Sequence, residues 1–134
     1  MKVVSLMVLG FLVLLLPIGF PAQQKPVQKQ PEHPCGNLMT QHEMNRCAQD
    51  EYRKADTELN KIYQQTMTKL TAGHKPKLKS AQLAWIKFRD AHCDCDAFTF
   101  DGGSMQPLIK YTCLDQETKH RIQQLKSLAE DVSR

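Results

Sequence analysis

Glycine and proline are sparse, six and seven in 134 residues. That excludes a collagen-like or low-complexity chain. No segment shows the apolar–polar alternation of a half-buried strand, and no internal repeat occurs. A large excess of one charge sign is missing as well. The full chain carries +4, and +2 over 35–134, because Lys2, Lys25, Lys29 and Glu32 all precede Cys35. Such a balance is too small for a nucleic-acid partner, which calls for a clustered basic face.

Catalytic signatures are missing too. The histidines are His33, His42, His74, His92 and His120, and none belongs to a Ser/His/Asp set or a His-Glu-x-x-His motif. His92 and Cys93 are adjacent, but neighbours on a helix point about 100° apart, the wrong geometry for a base activating a thiolate. Gly102-Gly103 follows no strand, so it is no phosphate loop. The chain reads as a non-catalytic protein with no cofactor.

What is present begins with a leader. Lys2 precedes an apolar run from Val3 to Leu16, interrupted by Ser5 and Gly10, and Pro17, Gly19 and Pro21 follow. This is the pattern of a secretory signal peptide over 1–22, with an uncleaved anchor as the alternative. Removed after export, it leaves no stable membrane span. Residues 23–34 are rich in Gln and Pro, with Val27 as the one large apolar side chain. They read as a disordered tether. The folded domain is then 35–134.

Three helices are expected there. Thr40-Gln41-His42-Glu43 is a capping box. Met44, Ala48, Tyr52, Ala55, Leu59, Ile62, Thr66 and Leu70 then recur at steps of three and four, giving a long first helix over about 41–72. Gly73 is expected as its left-handed stop, with Pro76 preventing continuation. A second helix over about 76–93 carries the stripe Leu78, Ala81, Trp85, Phe88 and His92. Residues 94–104 read as a loop. Ser104 is a candidate N-cap and Pro107 a tolerated first-turn residue of a third helix over about 105–131. Its stripe is Leu108, Tyr111, Leu114 or Asp115, Thr118, Ile122, Leu125, and Ala129 or Val132. The short link at Gly73-His74-Lys75 makes the first two helices antiparallel neighbours. The fold class is all-α, a disulfide-stapled three-helix bundle.

All five cysteines lie between Cys35 and Cys113, an odd number. Export makes disulfides their default use. Cys35 and Cys47 bracket the start of the first helix. Cys113 falls at the level of Cys93 and Cys95, either of which can meet it. Bridges 35–47 and 93–113 would each stabilise by about 3 kcal/mol in the loop-entropy model. Cys95, if left over, offers an intermolecular bridge and a covalent dimer. The string His92-Cys93-Asp94-Cys95-Asp96 also invites a metal-binding reading through His92, Cys93 and Cys95. It lacks the spacing and the second ligand pair of a structural zinc site.

Several longer patterns occur together: Asp56-x-Glu58-Leu59-Asn60-x-x-Tyr63, Gln82-x-x-Trp85-Ile86-x-Phe88-Arg89-Asp90-x-x-Cys93, Gly102-Gly103, Cys113-Leu114, Thr118-x-x-Arg121 and Leu125. Their combination, over about 35–128, resembles the LprI-like lysozyme-inhibitor family of small exported bacterial proteins. Cys35, Cys47, Cys93 and Cys113 match the four cysteines of that pattern, and Cys95 does not. The resemblance implies a periplasmic or secreted all-α domain whose partner is a protein, lysozyme in the family's namesake.

Two residue sets stand out. Asp56 and Asn60 on the first helix face Gln82, Trp85 and Arg89 on the second by helix level. They read as a partly buried ion pair, Arg89 with Asp56, whose leftover donors Asn60 and Gln82 satisfy, which the Trp85 ring covers and which fixes the helix register; a binding site is the competing reading. Breaking it by Arg89→Ala is expected to cost about 3–5 kcal/mol. The second set is electrostatic. Asp90, Asp94, Asp96 and Asp101 lie in a stretch without Lys or Arg, whereas Lys75, Lys77 and Lys79 crowd the other end of the second helix. An acidic loop bearing Asp94, Asp96, Asp101, Phe98 and Phe100, with Met105 beside it, would steer toward a basic lysozyme surface. A solvated loop, and an envelope interaction module of other specificity, are the competing readings.

Overall fold

A computed structural model describes Cys35 and residues 40–134. The signal segment 1–22 and the tether 23–34 lie outside the described residues. The described chain forms α1 (Gln41–Lys69), α2 (Lys75–Ala97), a 3-10 turn (Phe98–Phe100) and α3 (Gln106–Asp131), and no strand occurs among the described residues. The all-α, three-helix expectation is met.

The capping box starts α1. Thr40 Oγ1 accepts from the Glu43 amide at 3.2 Å, and Glu43 Oε2 accepts from the Thr40 amide at 3.1 Å. The end of α1 differs from expectation. The helix stops at Lys69, and Gly73 takes no left-handed conformation, since Gly102 at φ +70° is the one positive-φ residue among those described. Leu70 leaves the helix in an extended conformation and is buried beside Leu78. Burial of this leucine, not glycine geometry, sets the end of α1.

The second helix is longer than expected. It continues through Cys95 to Ala97, so Asp94 and Asp96 belong to its last turn rather than to a loop. Ala97 is 1% exposed and Cys93 is bridged to Cys113, and both anchor this weakly helix-forming stretch. Ser104 does not cap α3. Met105 occupies that position without a side-chain cap, and the Ser104 carbonyl instead accepts from Asn45 Nδ2 at 2.9 Å, tying the start of α3 to the start of α1.

The close helix pair is α1 with α3, and α2 packs chiefly on α3. Small side chains permit that approach: Ala48 and Ala55 of α1 and Ala129 of α3 are buried, and Thr66 Oγ1 lies 3.4 Å from the Leu125 carbonyl. The short link does join α1 to α2, but these two meet through long side chains. A groove of about 320 Å3 remains between them, lined by Asn60, Tyr63, Leu83 and Ile86 among others.

Apolar packing falls in two clusters. Leu59, Ile62, Leu70, Leu78, Ile122 and Leu125 fill the end near the α1–α2 link, flanked by Tyr63, Met67, Trp85 and Leu128. Cys93, Cys113 and Leu114 with Tyr52 and Tyr111 fill the other. The buried face of α2 matches the expected stripe only in part, at Leu78 and at Trp85, which packs half-buried against the core. It carries Leu78, Gln82, Arg89, Cys93 and Ala97, whereas Ala81 and Phe88 of the expected stripe are exposed. The side chain that the core receives from the middle of α2 is an arginine.

Candidate functional site: the Arg89 layer and the acidic end

Both expected bridges are present. Cys35–Cys47 has its Cα atoms 5.6 Å apart and ties the segment before α1 to that helix. Cys93–Cys113, at 5.5 Å, joins α2 to α3. Cys93 is therefore the residue that meets Cys113, and Cys95 is a free, exposed thiol.

Arg89 projects between α1 and α3, its side chain 7% exposed. Nη1 donates to Asp56 Oδ1 at 3.4 Å and to Thr118 Oγ1 at 3.3 Å. Nε and Nη2 reach Asp90 Oδ1 at 2.9 and 2.8 Å. The guanidinium carbon stands 5.4 Å from the centre of the Tyr52 ring and 5.0 Å from that of Trp85. Aromatic faces thus supply what water would otherwise give the cation. Asn60 Nδ2 donates to Asp56 Oδ2 at 3.2 Å and orients that carboxylate.

Gln82 does not join Arg89. Its Oε1 accepts from Arg121 Nε at 3.0 Å, and Arg121 lies 5.7 Å from the Trp85 ring centre. Trp85 therefore contacts two guanidinium groups. Burial holds Arg121 below the usual arginine range. Burial also raises the Tyr52 phenol, with the Arg89 charge partly opposing it. Residue reading missed Tyr52, Asp90, Thr118 and Arg121 as members of this layer. The signal was on hand for three of them, since Arg89-Asp90 and Thr118-x-x-Arg121 are among the patterns that carry the family resemblance.

At the acidic end every predicted residue has a definite place. Asp94 pairs with Lys110 of α3, and that hydrogen bond raises the Lys110 pKa. Asp96 Oδ2 lies 3.8 Å from His92 Nε2. Asp101 Oδ1 accepts from Gln106 Nε2 at 2.8 Å. Acids in the last turn of α2 oppose the helix dipole, and the Lys110 cation offsets this. Phe98 stands in water, 67% exposed; Phe100 is half-buried and Met105 exposed. The end is a set of locally held carboxylates beside one protruding aromatic ring.

The metal reading loses its central ligand, because Cys93 is in a bridge. The ligand atoms of His92, Asp96 and Cys113 do lie within 4.8 Å of one another. Cys113, however, is bonded to Cys93 and offers no thiolate.

These features define a class: a small, doubly bridged helical domain with a polar layer across its middle and an acidic, aromatic tip. The family model of the lysozyme inhibitor LprI matches residues 34–125. The chain belongs to that family. It is also 37% identical, over 117 residues, to an uncharacterised protein, R02472, of Rhizobium meliloti strain 1021, covering 78% of this chain and 84% of the relative. No solved structure matches it. No helix among the described residues is long and apolar enough to cross a membrane.

Proposed function

We propose that this chain is exported to the periplasm or beyond and acts there as a non-catalytic inhibitor that binds lysozyme. Membership of the inhibitor family carries this reading. The contact surface is the acidic end, where the exposed Asp94, Asp96 and Asp101 lie close in sequence to the exposed Phe98 and the half-buried Phe100. Carboxylates held at the tip steer a basic partner, and an exposed ring supplies the apolar anchor on which such contacts depend. The Arg89 layer is a structural element beneath this surface. It fixes how α2 sits on α1 and α3, and so where the tip points.

The test is a turbidity assay of cell-wall lysis with and without the oxidised protein. Lysis slows on the inhibitor reading. Asp94→Asn, Asp96→Asn and Asp101→Asn together slow association with lysozyme several-fold and flatten its dependence on salt. Undiminished lysis at saturating protein points to another envelope partner. An unchanged association rate in the triple variant removes the acidic end from the contact.

A further inference from the structure

The core-facing residues leave a second face of α2, continued by its helically disposed C-cap Phe98, to account for. Ala81, Ala84, Phe88, Ala91, Cys95 and Phe98 follow one another at steps of three, four, three, four and three. That is the a/d spacing of a coiled-coil seam. All six are exposed, with Phe88 at 58% and Phe98 at 67%. At 100° per residue the stripe lies about 140° around the helix from the face of Gln82, Arg89 and Cys93 that meets the core. It extends over about 26 Å at 1.5 Å per residue. The described residues leave it uncovered.

We propose that α2 pairs antiparallel with α2 of a second copy of this chain along this stripe. Two observations select that occupant and direction. The first is size. When Phe88 packs against the partner's Ala91, helix levels bring Ala84 against the partner's Cys95 and Ala81 against the partner's Phe98. Every large side chain then meets a small one. A parallel pairing would instead set Phe88 and Phe98 each against its own copy and leave alanine layers open.

The second observation is charge. Lys75, Lys77 and Lys79 stand at the start of α2, and Asp90, Asp94 and Asp96 at its end. Antiparallel pairing sets the basic end of each helix beside the acidic end of the other, and parallel pairing stacks like charges. Lys87 and Asp94 lie on the same flank of the stripe. In the antiparallel register Lys87 comes level with the partner's Asp94, which also holds Lys110 within its own chain. The contact is isologous, so it closes as a two-fold dimer. A seam under five turns long is small for a stable interface, and the dimer dissociates in the micromolar range.

This register has a consequence for the free thiol. The two copies of Cys95 lie about 16 Å apart along the helices, too far for a disulfide. The dimer is therefore non-covalent, and Cys95 is shielded within it. Phe98 and Asp94 also belong to the surface proposed for lysozyme, so the two associations compete. Self-pairing is measured without lysozyme, which keeps the failure of either reading separate.

The experiment is sedimentation velocity on the full chain, expressed with its own leader and purified oxidised, over a hundredfold range of concentration. The dimer fraction should rise with concentration and be indifferent to reductant at levels that spare the two bridges. Phe88→Glu, at an exposed position, should weaken dimerisation at least tenfold with an unchanged melting temperature. Ala84→Cys is the positive test. The introduced thiol should bridge the partner's Cys95 on mild oxidation and give a dimer that survives denaturing gel electrophoresis. This second readout stands if Phe88→Glu misfolds. A monomer at every concentration overturns the proposal, as does a dimer unaffected by Phe88→Glu. A wild-type dimer linked through Cys95 to Cys95 overturns the antiparallel register.

Discussion

Arg89 shows how a charged side chain enters a small core. Its cation is buried, but its carboxylate partners Asp56 and Asp90 are 40% and 52% exposed. Arg89→Ala therefore leaves no stranded anion, because both carboxylates rehydrate. The loss comes from the emptied space between Tyr52 and Trp85 and from two cation–π contacts. The expected cost is about 3 kcal/mol, the low end of the range for a broken buried pair. Arg89→Met, which refills that space, should fall within about 1 kcal/mol of the wild type. Urea unfolding of both variants checks this, and equal losses would show that charge rather than packing dominates. Tyr52 gives the layer a pH signature. Its folded pKa is raised above the ordinary 10.0 by burial. The native state then keeps a proton that the unfolded chain releases. This contribution to stability is complete below about pH 10 and is lost as pH rises through the folded value. Lys110 has the same sign, since the Asp94 hydrogen bond raises it from the ordinary 10.5. Stability should thus fall above pH 10, and less steeply in Tyr52→Phe. Cys95→Ser serves as the background, because a thiolate attacks disulfides at that pH.

At the scale of elements, α2 depends most on tertiary support. Its last turn holds Cys93, Asp94, Cys95 and Asp96, poor helix formers with acids at the wrong end of the dipole. The Cys93–Cys113 bridge and buried Ala97 hold it in place. Replacing both cysteines of this bridge with alanine should lower stability by about 3 kcal/mol. Amide exchange over 94–97 should accelerate most, and even acceleration along all three helices would contradict the assignment. The same support explains which parts of the elements were legible. The α1 stripe was readable because apolar and small residues recur there at helical spacing and one partner, α3, covers them. On α2 hydropathy misled. Phe88 outranks Arg89 on any apolar scale, yet Phe88 faces water and stacks on His92 at 5.5 Å. Arg89 goes inside because Thr118, Asp56 and two rings receive it; helix levels pointed to Asp56, but no count along α2 alone can foresee Thr118 on α3 or Tyr52 on α1.

For the whole molecule the question is what a 134-residue chain with two modest apolar clusters uses to stay folded and to recognise a partner. Two bridges and one polar layer fix the helices, which leaves the tip and the outer face of α2 free for contacts. The two proposed associations share Phe98 and Asp94. Lysozyme inhibition should therefore weaken per chain as protein concentration rises into the dimer range. Phe88→Glu should remove that decline while retaining inhibition, since Phe88 lies away from the tip. Dose–response curves of the lysis assay at two protein concentrations check both points.

Periodicity and cysteine placement in the sequence determined the number of helices, the start of α1 and the nearness of Cys113 to the Cys93/Cys95 pair. Each follows from local rules: steps of three and four, a capping box and 1.5 Å per residue. The family, too, was readable from patterns along the chain. Only the tertiary structure decided that α3 rather than α2 is the close partner of α1, that α1 ends where Leu70 finds the core, and that Cys93 rather than Cys95 is bridged. It also turned Phe88 outward, and it gave Arg89, already placed opposite Asp56 by helix level, its further partners Thr118 and Tyr52. These outcomes depend on what lies across the bundle, and burial energy is a property of both surfaces that meet, so one strand of sequence carries only half of it.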